Sequence, residues 1–212
     1  MDIPIMFFAP MVRALLEGRK TMTRRLAWRN GRAIEGANLR LGHKIERQKF
    51  FPASPWQRVK PGDRLWVRET IVPSSCGFDY DAGGDDEIEL ADLTNEQIEF
   101  WNKRAGVKPD NSPKVSPIHM PRWASRLTLI VTATKIERLQ EISEEDAKFE
   151  GAVLDPLAER KFGYPQTYYA AFADLWETIH GSNTWDANPE VVALTFTVHK
   201  INIDALPKAE VA

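Results

Sequence analysis

The chain has 212 residues, of which 43% are hydrophobic, 10% aromatic and 27% charged, with a net charge of −2; this composition fits a soluble globular protein with one sizeable core or two small ones. No apolar run approaches the roughly 20 residues of a membrane span. The N-terminus lacks the basic region and small-residue cleavage site of a signal peptide. The single cysteine, Cys76, excludes an intrachain disulfide and fits a reducing cytoplasm.

Charge is unevenly placed. Residues 1–60 carry 13 Lys/Arg against 4 Asp/Glu, and the remainder 15 against 26. The basic segment therefore faces either an anionic partner or the acidic remainder of its own fold.

The elements follow in order. Ile3 to Phe8 reads as a short buried strand. Pro10 suits a first helical position, MVRALLE continues a helix, and Gly18 is placed to end it. Residues 27–58 are largely basic and weakly periodic, an inserted arm. Pro61-Gly62-Asp63 makes a turn, and the strand after it sets Leu65, Val67 and Glu69 on one face, with Trp66 and Arg68 on the other. A carboxylate on an otherwise apolar face needs a cation, and an arginine from 19–25 is the expected partner. Residues 73–93 read as an acidic loop. Thr94 and Gln97 form a capping box that opens a helix ending at Gly106, and a proline-rich connector follows. Together 73–122 read as a second insertion.

Arg126 to Ile136 alternates as the clearest strand. Ser143 is an N-cap, Ile142 and Ala147 fit a hydrophobic staple, and Gly151 stops the helix after about two turns. Pro165 to His180 is an amphipathic helix with Tyr168, Phe172, Leu175, Trp176 and Ile179 on its apolar side, ended by Gly181. Val191 to Ile201 is the closing strand, and 205–212 a loose tail. Strands and short helices without a repeated βαβ unit predict an α+β domain.

Common site signatures are absent: there is no phosphate-binding or dinucleotide glycine loop, no nucleophile elbow, and no histidine pair at metal-ligand spacing. Two features remain. Lys20 and Thr23 meet across a tight turn if residues 20–23 adopt one; a lysine beside a hydroxyl activates it once the amine loses its proton, and desolvation with Arg19, Arg24 and Arg25 nearby favours that loss. Glu150 stands in the last turn of a short helix, where the macrodipole disfavours a carboxylate by about 0.3–1 kcal/mol unless a cation answers it.

These segments also carry a resemblance. GRKTMTRR (18–25), PGDRLWVRE (61–69), LTLIVTATKIERL (127–139), ISEEDAKFEG (142–151) and VVALTFTVHKI (191–201) occur in an order that resembles ASCH-domain proteins of the PUA-like superfold, over about two-thirds of the chain. HMPRWASR (119–126) and WDANPEV (185–191) are similar to a longer, phage- or prophage-associated branch. The resemblance implies a small mixed β-barrel with flanking helices and a cleft, in a single domain over residues 1–204 with arms at about 27–58 and 73–122. It implies an amidohydrolase acting on N4-acylated cytosine nucleosides such as N4-acetylcytidine, without metal or cofactor. Motif matched to motif, Lys20, Thr23 and Glu150 become the catalytic residues. Arg24, Arg25, Trp66, Glu69 and Trp123 are the candidate substrate-binding residues. A small nucleoside is the expected partner, in the cytoplasm and away from membranes.

Two alternatives stand beside it. In a non-catalytic RNA-binding module, the basic segment tracks phosphates and Trp28, Trp56, Trp66 and Trp123 stack on bases. In a ribonuclease, the same cleft's lysine and arginines stabilise a phosphorane-like transition state.

Overall fold

The computed structural model describes residues 1–28, 53–84, 86–105, 114–159, 163 and 165–207. Most of the arm expected at 27–58, and residues 106–113 of the second, lie outside these. Four helices and eight strands lie within them: β1 (Asp2–Met6), α1 (Ala9–Leu16), β2 (Met22–Leu26), β3 (Arg64–Arg68), β4 (Ile71–Pro73), β5 (Gly77–Tyr80), β6 (Glu87–Glu89), α2 (Asn95–Ala105), β7 (Thr128–Arg138), α3 (Glu144–Phe149), α4 (Tyr168–His180) and β8 (Glu190–His199).

The class is α+β, as expected, but the described strands do not close a barrel. Five form a sheet in the order β1-β3-β7-β8-β2, and three form a second sheet, β4-β5-β6. β1 runs parallel to β3, β3 antiparallel to β7, and β2 antiparallel to β8, with Thr23 opposite Leu194 and Arg24 opposite Ala193.

The second sheet corrects the reading of 73–93 as a loop. Gly77 explains why a strand forms there. A Cβ at this position would stand 1.7 Å from the Ile88 carbonyl oxygen, so only glycine lets β5 approach β6. Phe78 and Tyr80 then turn inward and Asp79 outward, the period of a half-buried strand.

The chain packs into two compact units. The first comprises Met1–Gly18, Asp63–Ile130 and Val198–Ala212; the second Arg19–Gly62 and Val131–Thr197. In the first, α1 begins with proline in its first turn, and Gly18 follows its end in the left-handed region at φ 72°. An aromatic cluster forms its other core, with Ile71, Phe78, Tyr80, Val115, Met120 and Ala124 buried and Phe100 and Trp123 packed against them. The capping box of α2 is present: Gln97 Oε1 accepts the Thr94 N–H at 2.7 Å, and Thr94 Oγ1 accepts the Gln97 N–H at 3.4 Å. The tail is tied rather than loose as far as residue 206, because Arg64 Nη1 donates to the Leu206 carbonyl at 2.8 Å and Arg122 pairs with Asp204 at 2.6 Å.

In the second unit, α3 packs on α4 over Leu139, Ile142, Ala147, Ala171, Phe172, Trp176 and Val191. The staple residues Ile142 and Ala147 are both in this core. The Thr167 hydroxyl caps α4 by accepting the Ala170 N–H, and Gly181 follows its last turn at φ 94°. Ile179, expected on the apolar side, is 38% exposed. Among the described residues no helix is long and apolar enough to cross a membrane.

Candidate active site

The second unit gathers a buried set of charges around the start of β2 and the end of α3. Ser143 caps α3 by accepting the Asp146 N–H at 3.0 Å. Six residues later the helix stops, with Glu150 as its C-cap and Gly151 beyond it at φ 83°. Three acidic residues, Glu144, Glu145 and Asp146, occupy the favourable first turn. Glu150 is at the unfavourable end, and its answering cation is Lys20.

Lys20 is 2% exposed and Glu150 3%. Lys20 Nζ donates to Glu150 Oε2 at 2.9 Å and to the Glu150 carbonyl at 2.7 Å. One ammonium thus answers both the carboxylate and a carbonyl at the helix end. The main chain holds the two together. The Thr21 N–H donates to the Phe149 carbonyl at 2.9 Å, and the Thr21 carbonyl accepts from Phe196 N–H at 2.9 Å.

That pattern replaces the tight turn expected at 20–23. Residues 19–21 run without a turn into β2, because the Thr21 amide and carbonyl are engaged by distant segments and not by each other's neighbours. Along β2, Thr23 and Arg25 share one face and Met22, Arg24 and Leu26 the other. Thr23 is 2% exposed, and its hydroxyl makes no hydrogen bond among the described residues.

Arg24, a candidate for substrate binding, meets three carboxylates. Its Nε donates to Glu137 Oε1 at 2.9 Å, its Nη2 to Asp146 Oδ2 at 2.8 Å and its Nη1 to Glu150 Oε1 at 3.2 Å. Phe172 of α4 lies under the guanidinium, with its ring centroid 6.0 Å away. Glu137 also receives Lys135, at 2.7 Å. Arg25 is half-buried and lies over the Trp56 ring, 5.9 Å from the centroid.

Protonation follows from this placement. Burial pushes Lys20 below the ordinary lysine range; the charge and hydrogen bond of Glu150 draw it back up, and Arg25 and Arg24 add to the depression. Burial opposes the charge on Arg24, but Glu150, Glu137 and Asp146 more than offset it, so Arg24 is held above its usual value. Burial lowers Arg25 to about 10, against the pull of Glu150, and leaves it a cation at neutral pH. Lys20 is thus the buried lysine of the set, and burial loosens its hold on the proton. The carboxylates are already answered by Lys20, Arg24 and Lys135, and no cluster suited to a metal ion occurs among the described residues.

Glu69, Trp66 and Trp123 belong to the first unit. The guanidinium that holds Glu69 is that of Arg126, not one from 19–25. Arg126 Nε donates to Oε1 at 2.9 Å and Nη2 to Oε2 at 3.0 Å. Arg126 also lies over Tyr80, 3.9 Å from its centroid, and donates to the Gly83 carbonyl at 2.8 Å. Burial raises Glu69 above its ordinary value, and Arg126 opposes the rise. This is a satisfied buried ion pair. Trp66 is buried and carries Arg68 over its ring at 5.2 Å. Trp123 packs edge-on against Phe100 at 5.9 Å.

Sequence reasoning missed Glu137, Asp146 and Lys135. Their signals are spacing signals: Asp146 and Glu150 stand at i and i+4 of one helix face, and Lys135 and Glu137 at i and i+2 of one strand face. Compared with family models, curated proteins and solved structures, the chain matches none.

Proposed function

We propose that this chain is an ASCH-type amidohydrolase with a PUA-like frame, and that it removes the acyl group from the exocyclic amine of N4-acylated cytosine nucleosides. The observation that carries the reading is the buried Lys20–Glu150 pair at 2.9 Å. The motif match and the helix-end argument pointed to it separately, across 130 residues of sequence. Burial moves the lysine pKa downward, the direction a general base near neutral pH needs.

In the proposed reaction neutral Lys20 accepts the Thr23 hydroxyl proton, relayed by a water because no turn brings the two side chains together, as Oγ1 attacks the acyl carbon. The tetrahedral intermediate collapses with cleavage of the carbon–N4 bond, and Lys20 returns the proton to the leaving amine. Water then hydrolyses the acyl-threonine ester, with Lys20 again as base. Glu150 orients Lys20 throughout. In a variant, Lys20 activates water directly and Thr23 only positions it.

The deciding experiment incubates the full chain with N4-acetylcytidine and follows conversion to cytidine by ultraviolet absorbance, with Lys20→Ala as control. Turnover is expected in the wild type and not in the variant, and circular dichroism should show both folded. Turnover should change little with salt, since the substrate is neutral. A wild type that leaves N4-acetylcytidine intact but binds RNA with steep salt dependence would replace this reading with the RNA-binding one.

A further inference from the structure

The reaction above uses Lys20, Thr23 and Glu150 and leaves Arg24 without a role. Yet the Arg24 side chain is fully buried and is the hub of the charge set. It divides Glu150: Oε1 goes to Arg24 at 3.2 Å and Oε2 to Lys20 at 2.9 Å. It is itself contested. Glu137 approaches it from β7 at 2.7 Å and Asp146 from α3 at 2.8 Å, while the surface residue Lys135 draws on Glu137 at 2.7 Å. The groups therefore run Lys135, Glu137, Arg24, Glu150, Lys20 with alternating sign. With Arg25 included, four cations face three carboxylates. Arginines keep their protons, so the imbalance is most easily relieved by a lysine, and Lys20 is the buried one.

We propose that Arg24 is a positioning residue: by holding one oxygen of Glu150 it fixes the carboxylate's rotation and weakens its grip on the Lys20 ammonium. The proposal rests on the reading of Lys20 as base, but its physical core does not need turnover to be tested. Removing Arg24 gives Glu150 wholly to Lys20 and deletes a repelling cation, so the ammonium is stabilised. Removing the Glu137 charge frees Arg24 to pull harder on Glu150, so the ammonium is destabilised. The two substitutions act on Lys20 in opposite directions, and the contact path from Glu137 to Lys20 runs through Arg24 and Glu150. An arginine whose role was packing alone, with no charge coupling to Lys20, would not produce this ordered pair of shifts.

The test titrates Lys20 in the full chain by nuclear magnetic resonance of 13Cε-labelled lysine, with Lys20→Arg to assign its signal. The acid limb of N4-acetylcytidine deacylation is recorded in parallel. Arg24→Met is expected to raise the Lys20 titration by about one unit or more, the range for close charge pairs. Glu137→Gln is expected to lower it, and Arg24→Lys to return it toward the wild type. If Arg24→Met does not fold, Arg24→Lys and Glu137→Gln carry the comparison. Shifts of one sign, or none, in folded variants overturn the proposal. Lys20 shifts of the expected signs without wild-type turnover would uphold the positioning role and discard the reaction. Turnover with an unmoved Lys20 would do the reverse.

Discussion

Replacing Glu150 by glutamine keeps the shape of the site and removes one charge. That charge lies 2.9 Å from Lys20 Nζ. At an effective dielectric constant of about 20, Coulomb's law sets a ceiling of ~6 kcal/mol on the pair. The amide oxygen retains a hydrogen bond and surrounding dipoles relax, so a shift of about 1–3 pKa units is expected. Its sign is fixed. Glu150 raises the lysine pKa, so its removal lowers it, and the acid limb of the pH–rate profile moves to lower pH. The plateau falls as well, because the glutamine amide no longer orients an ammonium as strongly. The assay is kcat/KM for N4-acetylcytidine from about pH 5 to about pH 10, which reports the free enzyme's essential base. An acid limb that stays in place, or moves upward, in a folded and active Glu150→Gln protein would refute the assignment of Lys20 as the titrating base.

Three further outcomes are expected. Thr23→Ser should retain part of the deacylation and Thr23→Val almost none, with mass spectrometry of a slow substrate showing an acyl adduct on the chain; equal rates in all three would assign the nucleophile to water. Gly77→Ala, whose Cβ would stand 1.7 Å from the Ile88 carbonyl oxygen, should lower stability by about 1–3 kcal/mol in urea unfolding, as the cost of forcing β5 from β6. Glu69, whose native pKa burial raises above 4.5, holds its proton more tightly folded than unfolded; between 4.5 and that native value its contribution to stability should fall as pH rises. Glu69→Gln should flatten that slope in denaturant titrations at stepped pH.

The local signals in the sequence proved good at element ends. Ser143, Gly151, Thr94 with Gln97, and Gly181 each stand at a helix boundary, because caps involve groups within a few residues of one another. The odd place of Glu150 was legible for the same reason, and its cation was named by the resemblance, which sets Lys20 and Glu150 in one site. What depends on distant partners was not. The turn at 20–23 fails because Phe149 and Phe196 engage Thr21, and neither appears in any pattern local to residue 21. Glu69 finds Arg126 across 57 residues of sequence. The strand Gly77–Tyr80 is four residues long in an acidic stretch, too short for alternation to outweigh composition. Arg24 stood among the candidates for substrate binding, and the groups it meets are the chain's own carboxylates, from segments more than a hundred residues away.

The hydrogen bond from the Thr21 amide to the Phe149 carbonyl joins the residue after Lys20 to the residue before Glu150. It runs between main-chain atoms and is therefore indifferent to the side chains at either reactive position. The distance between the two α-carbons is thus a property of the scaffold, and the ion pair is written onto it by two replaceable side chains. A carboxylate–carboxylate or lysine–histidine pair installed at 20 and 150 would inherit the same spacing and enclosure. The segment is in this sense a two-slot holder, and redesign of the pair can begin there without redesign of the backbone.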